Sequence, residues 1–246
     1  MFPTLELGPL SLPTPELIIL AAVWFGLWSS ERLSTRHKVS ANELYSLLVI
    51  SLTAGVIGAR LSFLLSSPRL LVKDPFSLIS LNLDMFDPAA GVIIGAAGFL
   101  VYASKKQIRL LRALDSIVPF LGVLQLGFGL SHLASGQAYG APTSLPWGID
   151  LWGRIRHPSQ LYEIIVGSLI LLWIWTNKVK IPGTGFTIFL ALSAGARLFL
   201  EAYRGDSQLL SSGLRIVQIY SWLLLAASLW ALGHLRKNSK AVENDS

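Results

Sequence analysis

The sequence predicts an all-α integral membrane protein of about seven transmembrane helices, with its N-terminus outside and its C-terminus in the cytoplasm. Three observations predict it. Of 246 residues, 52% are hydrophobic and only 14% charged, against about 25% charged in soluble domains, and mean hydropathy is +0.57. The apolar residues gather into runs long enough, or nearly so, to cross ~30 Å of hydrocarbon. The loops between those runs alternate in basic charge, which encodes orientation in membrane proteins.

The elements follow in order. Glu16–Ser30 is short, and before it stand prolines and Glu6 where a cleavable leader would carry basic residues, so it is expected to remain as a helix. Asn42–Leu65 carries Gly55, Gly58 and Arg60 towards its far end. Pro88–Ala103 is again short, and Ala113–Leu133 ends in Gly129-Leu130-Ser131-His132. Ser159–Thr176 follows His157-Pro158, with Pro158 suited to a first helical turn and Glu163 one turn past Ser159. Gly183–Tyr203 carries Arg197 and Glu201, and Gly213–His234 carries Arg215, Gln218 and Tyr220. Residues 235–246 read as a polar cytoplasmic tail. With no internal repeat, one polytopic domain over 1–246 is the simplest organisation.

Orientation rests on the loops. Arg32, Arg36, Lys38, Lys105, Lys106, Arg109, Arg112, Lys178, Lys180, Arg236, Lys237 and Lys240 fall on one side, twelve in all. Arg69, Lys73, Arg154, Arg156, Arg204 and Arg215, six in all, fall on the other. The richer side is cytoplasmic. Trp173, Trp175 and Trp230 then lie near inner helix ends, and Trp147 and Trp152 in an outer loop, as interface anchors do. The net charge of +6 is spread over short loops rather than one basic face, which argues against nucleic acid as a partner. Cysteine is absent, so the chain has no disulfide, thiolate metal site or cysteine nucleophile of its own.

This orientation brings polar groups of four helices to one level beneath the outer surface, where a water-accessible cavity opening outward would satisfy them. Arg197, Glu201 and Arg204 stand at i, i+4 and i+7, so helical rise sets Arg197 roughly 10 Å deeper than Arg204. Each charge at membrane depth costs about 2.5–3.5 kcal/mol, so three on one stripe need a reason. Two arginines and a carboxylate suit an anion such as a lipid phosphate, because guanidinium forks onto phosphate oxygens and stays charged. The plainer alternative is a structural ion pair with Arg204 snorkelling to the surface. His157 is the one histidine expected in an outer loop, either as a hydrated proton acceptor or as a loop residue beside a helix start. Ser131 and His132 point to different helix faces, which disfavours an intramembrane protease, and His132 reads as a hydrogen-bonded helix residue. A retinal protein is disfavoured by the lack of lysine in the seventh helix.

At these residues the chain resembles the prolipoprotein diacylglyceryl transferases. Arg156 to Glu163, RHPSQLYE, matches the start of that family's fifth helix, and Arg197-Leu198-Phe199-Leu200-Glu201-Ala202-Tyr203-Arg204 is similar to its Arg-Phe-x-x-Glu-x-x-Arg helix. Gly58-Ala59-Arg60-Leu61 resembles its Gly-Gly-Arg-Leu, Leu145-Pro146-Trp147 its outer loop, and Gln218 with Ser221 its Gln-x-x-Ser. The likeness runs from about Gly55 to Ser221. Three features depart from it. Phe128 to Gln137 lacks the arginine, asparagines and glutamate of the family signature, Ala89-Ala90-Gly91 replaces a His-Gly-Gly, and the first helix has no Tyr-Gly.

The resemblance implies transfer of diacylglyceryl from phosphatidylglycerol to the lipobox cysteine of a prolipoprotein signal peptide, in the bacterial plasma (inner) membrane. It implies His157, Arg197 and Glu201 as catalytic residues, with Arg60, Arg204, His132, Gln160 and Tyr162 binding substrate. His157 or His132 would take the place of the missing histidine. No cofactor is implied; neither a P-loop nor a metal-binding His/Glu spacing appears. The main alternative is a catalytically silent relative that binds lipid or precursor. A transporter comes third, without clear paired broken helices.

Overall fold

A computed structural model describes residues 4–7, 10–37, 39–68 and 85–244. Of the loop charges used for orientation, Lys38, Arg69 and Lys73 lie outside that range. Seven described helices are long and apolar enough to span a membrane. They are α1 (Thr14–Leu33), α2 (Ala41–Ser66), α3 (Pro88–Lys105), α4 (Leu110–Ser135), α5 (Ser159–Thr176), α6 (Thr184–Leu200) and α7 (Ile216–Asn244). Two antiparallel hairpins accompany them: β1 (Thr4–Leu7) with β2 (Leu10–Pro13), and β3 (Ile149–Leu151) with β4 (Arg154–Arg156). The all-α membrane class read from the sequence is the class of the fold. Leu65, Val92, Leu169, Leu172, Trp222 and Trp230 are exposed on the isolated chain, the distribution expected of lipid-facing helices.

Two boundaries differ in an instructive way. The apolar run Gly183–Tyr203 is α-helical only to Leu200, after which Glu201–Tyr203 form a 3₁₀ turn and Arg204 is extended. At the other end, α7 runs to Asn244, through most of the expected tail.

The chain divides into two compact units, residues 31–117 and residues 1–30 with 118–246. In the smaller unit, Ser40 and Glu43 close a reciprocal capping box at the start of α2. Asp87 caps α3 through Ala89 and Ala90 N–H and accepts from Ser62 Oγ at 2.7 Å. That hydroxyl bond and the capping amides hold the Asp87 carboxyl below its ordinary range. Gly91 and Gly95 let α2 and α3 approach closely: a Cβ on Gly91 would lie 3.0 Å from Ala59 Cβ, and one on Gly95 3.1 Å from the Ser51 carbonyl. Leu47, Phe99, Ala103 and Ala113 form the core.

In the larger unit, Val118, Ile170, Ile174 and Phe189 of α4, α5 and α6 pack together. Pro119 has no N–H to give to the hydrogen-bond ladder of α4, and the neighbouring Phe120 N–H donates to Ser30 Oγ at 2.9 Å. Gln218 of α7 donates to the Leu198 carbonyl of α6 at 3.3 Å.

Candidate active site

The site is built where α4 and α6 end and α5 begins. Residues 139–143 run between β4 and the segment after α6. His157 N–H donates to the Ala141 carbonyl at 3.0 Å, Ala141 N–H to Tyr203 at 2.8 Å and Gly205 N–H to Tyr139 at 2.8 Å. Only glycine fits at 140, because a Cβ there would collide with the His157 carbonyl. These strand-like bonds draw residues 203–205 out of the helix. Arg215 locks the turn, donating from Nη1 to the carbonyls of Glu201 and Arg204, both at 2.7 Å. The 3₁₀ ending of the Arg197–Arg204 stripe therefore has a tertiary cause.

The RHPSQLYE stretch divides its labour. Ser159 Oγ donates to the Ala138 carbonyl at 2.5 Å and Gln160 Nε2 to the Gln137 carbonyl at 3.0 Å, tying the end of α4 to the start of α5. Tyr162 OH accepts from Trp147 Nε1 at 2.8 Å. Arg156 donates to the Gly140 carbonyl at 3.2 Å and stacks over Tyr139.

Glu163 has a different environment. Its Oε1 accepts from Arg197 Nη1 at 2.9 Å and from Arg204 Nη1 at 3.2 Å, while Oε2 meets His132 Nδ1 at 2.9 Å. Glu201, almost wholly buried, sets Oε2 3.3 Å from Arg197 Nε, within ion-pair reach but off the N–H axis, so that oxygen has no hydrogen-bond donor. Asp206 forks onto Arg204 at 2.8 and 2.9 Å. Burial alone would raise the Asp206 carboxyl, but the hydrogen bond and charge of Arg204 outweigh it and hold Asp206 low; burial would lower Arg204, and the surrounding carboxylates raise it instead. Removing one member of such a buried ionic cluster costs about 3–5 kcal/mol, because the others are left uncompensated.

Beside the cluster lies a cavity of about 390 Å³ between α4, α5 and α6. His132, Glu163 and Arg197 line one end, and Leu121, Leu124, Val166 and Phe189 much of the rest. The Arg197 side chain is 36% exposed and that of Arg204 12%. Arg197 thus offers a guanidinium edge to a ligand, whereas Arg204 is occupied by Asp206 and Glu163.

The match to known proteins covers this whole arrangement. The family model for prolipoprotein diacylglyceryl transferase matches residues 4–233. The chain belongs to that family. Relatives named phosphatidylglycerol–prolipoprotein diacylglyceryl transferase include one from Finegoldia magna, 27% identical over 216 residues and 87% of each chain. One from Thermosynechococcus vestitus is 26% identical over 96% of this chain and 93% of its own, and one from Synechococcus elongatus 27% identical over 94% and 86%.

Within this diacylglyceryl transferase chain, the structure brings together His132, Arg197, Glu201 and Arg204 from the expected set. His157 packs edge-on against Tyr203, its ring 6.4 Å from that of Tyr162, and its Nδ1 is buried without a hydrogen-bond partner. Gln160 and Tyr162 bond to neighbouring loops as described above. Arg60 sits in the smaller unit, donating to the Met85 carbonyl at 2.9 Å with its guanidinium over Phe86. Glu163, the carboxylate shared by three cationic or titratable groups, was not among the expected site residues. Its signal was present: it stands one turn into a helix, inside the family's most specific motif. Phe128 and Gly129, where the family's arginine is missing, both line the cavity, which leaves Arg197 and His132 as its basic lining groups among the described residues.

Proposed function

We propose that this chain transfers the diacylglyceryl group of phosphatidylglycerol to the lipobox cysteine thiol of a prolipoprotein signal peptide, at the outer face of a bacterial plasma membrane. One observation carries the proposal: an apolar cavity closed at one end by a partly exposed guanidinium and a His–Glu pair. Phe189 lies two turns along α6 from Arg197, roughly 12 Å, so a phosphate on Arg197 directs acyl chains past apolar side chains.

In this reading the thiol sulfur attacks the glyceryl carbon bound to the phosphate ester. The carbon–sulfur bond forms as the carbon–oxygen bond breaks, and the electron pair leaves on glycerol phosphate. Arg197 stabilises the charge growing on the phosphate. Glu163, flanked by two arginines, holds His132 Nδ1–H, which leaves Nε2 to accept the thiol proton. We thus give the proton-accepting role to His132 rather than His157, because His132 lines the cavity. Glu201 orients Arg197. Gln160 and Tyr162 act through the loops they tether, and Arg60, buried against Met85 and Phe86, acts as a structural residue of its own unit. A single polytopic domain with a cytoplasmic tail at 235–246 belongs to the same proposal.

Complementation of a diacylglyceryl transferase depletion strain, with labelled lipid traced into a reporter precursor, tests the activity. Growth with labelled precursor supports it; normal expression and lipid binding without transfer would identify a silent relative. Orientation is tested separately. A C-terminal alkaline phosphatase fusion should be inactive and a C-terminal fluorescent fusion bright; the reverse result would move the cavity mouth to the cytoplasm.

A further inference from the structure

Below the ionic end of the cavity, two polar side chains face one another across α4 and α6. Ser193 Oγ donates to Gln125 Oε1 at 2.8 Å, and both residues line the cavity. The acceptor half of the carboxamide is satisfied. Its Nε2 group, able to donate two N–H bonds, makes no further hydrogen bond to the described residues and is not among their sealed-in unpartnered atoms, so it opens onto the cavity. Leu121, Leu124, Val166 and Phe189 line the same cavity, so the donor opens onto largely apolar space in which a ligand acceptor would be its natural partner. If the pair served only to hold α4 to α6, the single Ser193 bond would suffice.

Position suggests what the donor meets. Gln125 lies seven residues before His132 on α4, roughly 10 Å along the axis, and Ser193 four residues before Arg197 on α6, roughly 6 Å. A glycerolipid with its phosphate on Arg197 carries its ester carbonyls a few bonds beyond, where polar headgroup gives way to acyl chain. That is the level of the amide. We infer that Gln125, held by Ser193, donates to an ester carbonyl of the bound lipid and so makes the site selective for ester-linked over ether-linked glycerolipids. The inference rests on the transferase reading and refines it by naming a specificity-determining residue. The reacting carbon and the leaving phosphate are the same in both lipids, so Gln125 acts on lipid position and not on bond making.

The test uses purified full-length protein, a cysteine-bearing lipobox peptide and two lipids, diester phosphatidylglycerol and its diether analogue. The wild type should favour the diester about tenfold in kcat/KM, mainly through KM, as one hydrogen bond allows. Gln125→Leu should lower the diester to the diether value and leave the diether unchanged. Gln125→Met, which keeps the side-chain length but offers no N–H donor, should do the same. A wild type indifferent to the linkage, or variants that lose both lipids equally, overturns the inference. Should the wild type transfer neither lipid, the transferase reading falls instead. Retention of the two labelled lipids through purification then decides the inference by the same ratio: diester preference lost in both variants upholds it, and equal retention throughout refutes it.

Discussion

Arg197→Lys is expected to lose transfer activity nearly as completely as Arg197→Ala, about 10²–10³-fold in kcat/KM, the scale of removing one donor from an anion-stabilising site. Arg197 donates from Nη1 to Glu163 at 2.9 Å and sets its Nε 3.3 Å from Glu201 Oε2 as an ion pair. Those two carboxylates fix the plane of the guanidinium and present its remaining edge to the cavity. An ammonium group cannot meet both carboxylates and still offer donors to a phosphate in one plane. Glu201→Gln should be milder, since the amide keeps the shape beside Arg197 and removes only the charge paired with it at 3.3 Å. The assay is lipid transfer with expression matched; full activity in Arg197→Ala would make the residue structural and place the phosphate contact elsewhere.

His132→Gln is expected to lower transfer about 10²–10⁴-fold and abolish the acidic limb of the pH profile, whereas His157→Gln should retain that limb. An imidazole base accepts the thiol proton only in its neutral form. The groups facing His132 are Glu163 of α5, at 2.9 Å, and Arg197 of α6 across the cavity. The Arg204–Asp206 pair does not generate this limb. The folded Asp206 carboxyl is held low, so the stability it contributes is complete above the ordinary carboxylate range and is lost only as pH falls through that lowered value. Transfer measured from about pH 5.5 to 8.5 stays above that window. If His157→Gln is dead and His132→Gln keeps a normal profile, the roles reverse.

Much of the fold was legible because the bilayer restricts backbone to helices and the apolar runs are long. The run Ser159–Thr176 coincides with α5. The end of α6 was not legible, because its causes lie far away in sequence: the 139–143 segment, Arg215, and the glycine at 140 that lets the chains approach. Periodicity within Gly183–Tyr203 carries no trace of those contacts. The site was half legible. Charge at membrane depth singled out Arg197 and Glu201, and the RHPSQLYE motif marked the start of α5. Which motif residue faces the arginines depends on how α5 is rotated against α4 and α6, and there Glu163 rather than His157 meets the cluster. Ser193 and Gln125 are separated by 68 residues and carry no charge, so nothing in the linear chain linked them.

The most direct measurement uses the purified chain in vesicles of phosphatidylglycerol labelled in both the headgroup glycerol and an acyl chain, with a lipobox peptide added. One molecule of labelled glycerol phosphate should be released for each diacylglyceryl thioether formed on the peptide, and Arg197→Ala should yield neither product. Thioether formed at the wild-type rate by Arg197→Ala would place the reaction outside this cavity, and no thioether from the wild type in vesicles that it binds would show the chain to be a lipid-binding relative that has lost the chemistry.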